Sequence, residues 1–298
     1  IGTIEYLIGN HAVRSTHTTR DVVTNHKMLK EMINNSCQVA VMEVTSHALH
    51  QKRVSDIHFD VAIFTNLTKD HLDYHQTMDA YLKEKRKLLL SVDPKHKKHK
   101  RYPKKIVANI DDPWFESMTK DSKVDILTYG IKKHADFQAK DIKLSAEGTT
   151  YTLVALEQTF LVSLPLIGIF NVYNSLAAIA TGVTQNLSID NCIQALRTFK
   201  AVPGRLEPVK NSKRLKVFVD FAHTPDALLS VLKCLKDLCV GRLITVFGCG
   251  GDRDRSKRAE MGKIAETYSN LSIVTTDNPR SENPKAIIEG IIQGFKDP

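Results

Sequence analysis

The chain has 298 residues, 42% hydrophobic and 25% charged, an ordinary globular composition with material for one large core or two smaller ones. Disordered, collagenous and fibrous classes are excluded. Lys and Arg outnumber Asp and Glu by 42 to 33, a formal charge of +9 with His neutral.

The N-terminal segment IGTIEYLIGN lacks the basic, apolar, small-residue order of a signal peptide, and no apolar run approaches the ~20 residues that cross a bilayer. The sequence therefore reads as soluble, unexported and free of membrane association. It opens without Met and stops just after a helical pattern, which reads as an internal piece of a longer protein.

Along the first part, strand-length apolar runs at 39–44, 61–64 and 106–108 show almost no polar alternation, as strands covered on both faces do. Helical periodicity separates them. Asp21 and Thr24 open a segment carrying Met28, Leu29, Met32 and Ile33, and Thr77 caps one carrying Met78, Tyr81, Leu82 and 88–90. This alternation predicts a parallel α/β sheet. Much of the charge excess falls in residues 95–101, followed by Lys104 and Lys105. With Pro94 and Pro103 bracketing the run and no aromatic residues among the charges, it reads as a solvated loop, not a nucleic-acid patch.

Between 137 and 164 the period changes to two, with a turn at Glu147-Gly148, predicting antiparallel strands. Helices follow from Asn171 and Ser188. The pattern breaks at Val202-Pro203-Gly204-Arg205, and a second domain is expected from 209 to 298 after a first spanning 1–208. Its predicted strands are 217–219, 243–247 and 273–275. Its helices begin at Thr224-Pro225, Ser256 and Asn283-Pro284, a cap residue preceding Pro at the first helical position in two of them. The five cysteines, Cys37, Cys192, Cys234, Cys239 and Cys249, are odd in number and hold no C-x-x-C pair. Neither a disulfide framework nor a zinc site is indicated, and a reducing cytoplasm fits.

Parallel α/β sheets bind ligands beyond the carboxyl ends of their strands. Polar residues crowd those predicted ends: Glu43 with Thr45-Ser46-His47; Thr65-Asn66 leading to Asp70-His71-Leu72-Asp73-Tyr74-His75; Asn109 with Asp111 and Asp112; Asp220 and His223; the loop 248–253; and Asp277-Asn278-Pro279-Arg280. Taken singly, each also has an ordinary reading as an exposed strand end or turn. His71 and His75 have the H-x-x-x-H spacing of a zinc helix but lack the Glu of H-E-x-x-H, so a carboxylate and one imidazole on Mg²⁺ beside phosphate is the better reading. The glycines of 248–251 lack the dinucleotide spacing, yet their small size leaves room for backbone N–H groups to approach an anion. No G-x-x-x-x-G-K-[ST] occurs; Gly262-Lys263 is the nearest sequence and lies within a helical pattern.

Taken together, residues 42–47, 64–67, 70–75, 219–228, 247–254 and 277–280 resemble the ATP-dependent Mur ligases, and their order and spacing are similar to the MurE type of that family. The resemblance implies a central ATPase domain with a parallel sheet, followed by a Rossmann-like C-terminal domain. It implies that an N-terminal UDP-binding domain and a P-loop precede Ile1, and that the chain continues past Pro298. The implied reaction is ATP-dependent amide formation, in which the D-glutamate carboxylate of UDP-MurNAc-L-Ala-D-Glu is phosphorylated and then attacked by the amine of meso-diaminopimelate. By motif position, Glu43 and His71 would meet Mg²⁺ and Lys85 would be the lysine the family carries as a carbamate. Thr18, Thr19, Thr45, Gln51 and Arg53 would hold the UDP-MurNAc-dipeptide, although the family usually has Asn where His17 stands. Asn109, Arg205, Asp220 and His223 would face the nucleotide, with Arg205 at its phosphates, and Arg253, Asp277, Asn278, Pro279 and Arg280 the amino acid. Two alternatives remain: a folylpolyglutamate synthetase-like ligase, and a catalytically silent relative acting as a scaffold.

Overall fold

A computed structural model describes residues 1–96, 102–200, 202–213 and 215–297. The chain begins with an antiparallel hairpin, β1 (Glu5–Ile8) and β2 (His11–Arg14), then α1 (Val22–Asn34), α2 (Ser46–His50), β3 (Val61–Phe64), α3 (Leu72–His75) and α4 (Met78–Leu90). It continues through β4 (Lys105–Asn109), α5 (Phe115–Thr119), β5 (Ile126–Gly130), β6 (Phe137–Ser145), β7 (Gly148–Ala155), β8 (Gln158–Leu164), α6 (Ile169–Thr184) and α7 (Ile189–Arg197). The last part holds β9 (Glu207–Pro208), β10 (Phe218–Val219), α8 (Pro225–Leu238), β11 (Ile244–Phe247), α9 (Lys257–Tyr268), β12 (Leu271–Val274) and α10 (Pro284–Ile292). The chain forms two compact units, one of residues 1–67, 75–138 and 176–192, the other of 68–74, 139–175 and 193–298.

The caps explain where the helices start. The Asp21 carboxylate accepts the Thr24 N–H at 2.9 Å, and the Thr77 and Thr224 hydroxyls accept the N–H of Ala80 and Ala227. β3, β4, β5 and the start of β6 run parallel, β7 and β8 antiparallel, in a single sheet of order β3-β4-β5-β6-β7-β8. β4 is the covered strand the apolar run predicts: Ile106, Val107 and Ala108 are fully buried. In the first unit Phe64, Ile106 and Ala108 pack with Tyr81 and Leu89 of α4 and Met118 of α5. In the second, Leu228 and Leu232 of α8, Met261 and Ala265 of α9, and Ile287 and Ile291 of α10 form a core beside the parallel pair β11–β12. Full burial of one such aliphatic side chain stabilises by about 1.5–3 kcal/mol.

Two expectations are corrected. Residues 39–44 form no strand: the segment is held by Glu43 N–H to the Ile1 carbonyl and by the Ile1 amine to the Val41 carbonyl, a contact too short for a ladder, and Val39 and Val41 stay exposed. The strand expected at 217–219 forms as β10, Phe218–Val219, and pairs antiparallel with β9 over two residues. Lys104 is not solvated, and Lys105 is half-buried. Lys104 is 6% exposed, with its ammonium 3.0 Å from the Asp60 carboxylate and donating to the Phe59 carbonyl, and Lys105 pairs with Asp125. Residues 97–101 of the basic run lie outside the described residues. The five cysteines are free thiols, and among the described residues no helix is long and apolar enough to cross a membrane.

Candidate active site

In the first unit, residues spread from 3 to 53 in the sequence converge on one hydrogen-bonded network. Thr3 donates its N–H and hydroxyl to one Glu43 carboxylate oxygen, at 3.0 and 2.7 Å, and its hydroxyl lies 3.0 Å from that of Thr18. The Thr19 hydroxyl donates to the Glu43 carbonyl at 2.8 Å and accepts the Thr45 N–H at 3.2 Å. Arg53 donates to the Thr19 carbonyl at 3.0 Å and to the Gln51 side-chain oxygen at 2.9 Å. Thr45 also caps α2 through the Ala48 N–H. Six of the expected site residues, Thr18, Thr19, Glu43, Thr45, Gln51 and Arg53, are thus brought together although the predicted strand beneath them does not form.

Lys85 separates from its lysine neighbours by position on α4. Lys83 and Lys87 are exposed and Lys87 pairs with Glu84 at 2.7 Å, whereas Lys85 is half-buried with its ammonium 5.5 Å from the centre of the Tyr81 ring one turn back. His75, the second histidine of H-x-x-x-H, belongs to the packing beneath. It is buried, 2.9 Å from the Ser46 hydroxyl and stacked on Tyr81 at 5.3 Å. His71 lies in the other unit, with positive φ and its ring nitrogen 3.6 Å from the Asp70 carboxylate. No group of three or more His, Cys, Asp or Glu side chains is placed to hold a metal ion among the described residues. A carboxylate and an imidazole still suit Mg²⁺ chemically, since that ion accepts few protein ligands and completes its shell with water and phosphate oxygens.

Asn109 ends β4, and its amide bridges two strand ends, donating to the Thr65 carbonyl at 2.9 Å and accepting the Asp111 N–H at 3.1 Å. In the second unit Asp220 works in the same way: one carboxylate oxygen accepts the Leu206 N–H and the other the Ala222 N–H, both at 2.8 Å. This fixes the turn carrying Arg205, whose guanidinium sits 5.4 Å from the centre of the Phe221 ring. The His223 ring meets the Phe221 carbonyl at 3.0 Å, and Lys257 donates to the His223 carbonyl.

The loop 248–253 and the turn 277–280 lie against each other. Gly251 N–H donates to the Asn278 carbonyl at 2.9 Å, and Arg280 donates to the Gly251 carbonyl. A Cβ on Gly251 would stand 1.9 Å from the Pro279 carbonyl oxygen, so glycine is required by backbone approach. This corrects the anion-cradle expectation at Gly251, because its N–H is spent on the neighbouring turn. Arg253 and Arg280 are exposed beside it, with Asp277 and Asn278. Sequence reasoning passed over the ion pair of Arg258, which is buried, and Glu282, which is half-buried; opposite charges on a predicted helix and the turn beside it are the signal that was there to be read.

Residues 1–182 match the Mur ligase middle domain and residues 204–297 the Mur ligase, glutamate ligase domain. A protein of Listeria monocytogenes named UDP-N-acetylmuramoyl-L-alanyl-D-glutamate–2,6-diaminopimelate ligase is 43% identical over 294 residues, covering 99% of this chain and 60% of that protein. One of the same name from Bacillus velezensis is 44% identical over 296 residues, with the same coverage. A solved structure of a ligase of that name superposes with a TM-score of 0.68 at 35% identity, over 97% of this chain and 58% of that one. The chain therefore spans about 60% of the length of the curated relatives it matches.

Proposed function

Because the chain belongs to the Mur ligase family, we propose that it forms the middle and C-terminal part of a cytoplasmic, ATP-dependent ligase that adds meso-diaminopimelate to UDP-MurNAc-L-Ala-D-Glu in peptidoglycan precursor synthesis. The observation that carries the reading is the pairing of two exposed arginines, Arg253 and Arg280, on interlocked loops in a chain 43% identical to a ligase of that name. A selective diaminopimelate site must reward a second carboxylate on the distal amino-bearing carbon, and a guanidinium does so with paired, planar hydrogen bonds.

In the proposed reaction the D-glutamate carboxylate attacks the γ-phosphorus of ATP, releasing ADP and leaving an acyl phosphate. The diaminopimelate amine then attacks the acyl carbon, loses a proton and expels phosphate. The network of Thr18, Thr19, Thr45, Gln51 and Arg53 would hold the dipeptide nucleotide, with Arg53, oriented by Gln51 and the Thr19 carbonyl, supplying positive charge to an anionic group. Arg205 would offset phosphate charge, Asn109 and His223 would face the nucleotide, and Asp220 would hold Arg205 in place. Glu43, His71 and a carbamate on Lys85 would hold Mg²⁺, which when bound offsets the charge of the phosphates. The test supplies the full-length enzyme with ATP, Mg²⁺, the dipeptide nucleotide and diaminopimelate. The proposal expects ADP and nucleotide tripeptide in equal amounts; ATP turnover without a tripeptide product would contradict it.

A further inference from the structure

Behind the two exposed arginines sits a buried ionic contact that none of the motif residues includes. Glu282 follows the turn 277–280, and its side chain is only 10% exposed. One of its carboxylate oxygens accepts from Arg258 of α9 at 2.8 Å and from the Asp252 N–H at 2.7 Å; the other meets Arg255 at 3.0 Å. The Arg258 side chain is 6% exposed, whereas that of Arg255 is 74% exposed. The same carboxylate thus binds the backbone of the loop bearing Arg253 and a guanidinium buried in the helix that follows. Its own N–H donates to the Pro279 carbonyl at 3.0 Å, tying it to the turn bearing Arg280. On the outer side a second link repeats the connection: the Ser281 hydroxyl donates to the Asp252 carboxylate at 2.6 Å.

We infer that Glu282 is a positioning residue that fixes the Arg253 loop against the Arg280 turn and thereby sets affinity for the amino-acid substrate. The inference rests on the reading of those two arginines as the amino-acid site. Both arginines are exposed, and Arg280 itself donates to the Gly251 carbonyl, so their separation is set by how the loop and the turn are joined. The two meet through Gly251 and through this carboxylate. A placement error of about 1 Å in such a pair is enough to cost a large factor in use of a ligand held at both ends.

The test uses the full-length enzyme carrying Glu282→Gln, which keeps size but loses the charge, and separately Ser281→Ala, which leaves the buried contact whole. KM is measured for ATP, for the dipeptide nucleotide, and for whichever diamino acid the unmodified enzyme accepts, so that a wrong assignment of diaminopimelate leaves the inference testable. Glu282→Gln is expected to raise KM for the diamino acid on the order of thirtyfold and Ser281→Ala on the order of threefold, with the other two KM values within about twofold of the parent. Hydrogen exchange at the Asp252 amide is read on the same proteins and is expected to quicken about tenfold or more in Glu282→Gln. Unchanged exchange, or three KM values that rise together, would overturn the inference. An inactive unmodified enzyme whose Asp252 amide still responds to Glu282→Gln would overturn the proposed function and leave the clamp itself standing.

Discussion

The residues that gather around Glu43 and those that gather around Arg280 reach order by opposite routes. From 248 to 282 the loops leave two paired strands, β11 and β12, and are held by bonds made within that stretch, those of Arg258 in α9 included. Around Glu43 the backbone is an extended segment outside any ladder, and order comes from side chains donated by Thr3, Thr19 and Arg53, far away in sequence. The first arrangement is built on a strand pair that fixes where its loops begin. The second depends on several distant segments arriving together.

The widest separation between the regions should appear when residues 1–298 are tested alone. Their sequence holds no G-x-x-x-x-G-K-[ST], and phosphoryl transfer depends almost wholly on positioning and charge offset, so no ATP-dependent ligation is expected from them. Turnover by 1–298 in a product assay would break the comparison outright. Next in size, Lys85→Ala in the full-length enzyme is expected to lower kcat about a thousandfold, as loss of a charge that organises a metal site does, while Lys83→Ala stays within about twofold. Equal losses would return Lys85 to the exposed face of α4.

Gly251→Ala probes the region around Arg280. Its Cβ would meet the Pro279 carbonyl oxygen at 1.9 Å, so the loop must part from the turn, and KM for diaminopimelate is expected to rise on the order of tenfold or more while KM for ATP holds. The smallest effect is with pH. Hydrogen bonding from Arg258, then from the Asp252 N–H, holds the Glu282 carboxyl below the usual carboxylate range. A group with a depressed folded-state pKa contributes stability above its unfolded value, about 4.3 for Glu, that is lost as pH falls through the folded value. Protection of the Asp252 amide should therefore be level from about pH 8 to pH 5 and fall only below the ordinary glutamate range; loss already near pH 6 would contradict the ion pair.

Much of this was legible in the residues, and the failures share one cause. Asp21, Thr77, Thr224 and Asn283 start helices by bonds to their own near neighbours, so their positions could be read directly. Buried β4 announced itself by an unbroken apolar run. Residues 39–44 have the same composition but no regular partner strand, and pairing is a property of two segments, not one. The hairpin β1–β2 went unread although Gly9-Asn10 between two four-residue strands is a two-residue turn, with Gly9 at φ +57°. In the site, motif position marked Thr18, Thr19 and Arg53, but their mutual contacts span up to 34 residues and no spacing rule encodes them. Asn109 and Asp220 stand at the strand ends where the resemblance puts nucleotide contacts, and their bonds to backbone were not legible, because the sequence says where a polar group lies along a strand and not which partner it takes.

The proposed amino-acid site on the loops 248–253 and 277–280 is selective for diaminopimelate. Competition between meso-diaminopimelate and L-lysine, in the full-length enzyme and in its Arg280→Ala variant, tests it most directly. The unmodified enzyme is expected to prefer diaminopimelate, and Arg280→Ala to lower kcat/KM for it by on the order of a hundredfold, as loss of a charged partner does. Preference of the unmodified enzyme for L-lysine, or use of diaminopimelate that is indifferent to Arg280→Ala, would contradict it.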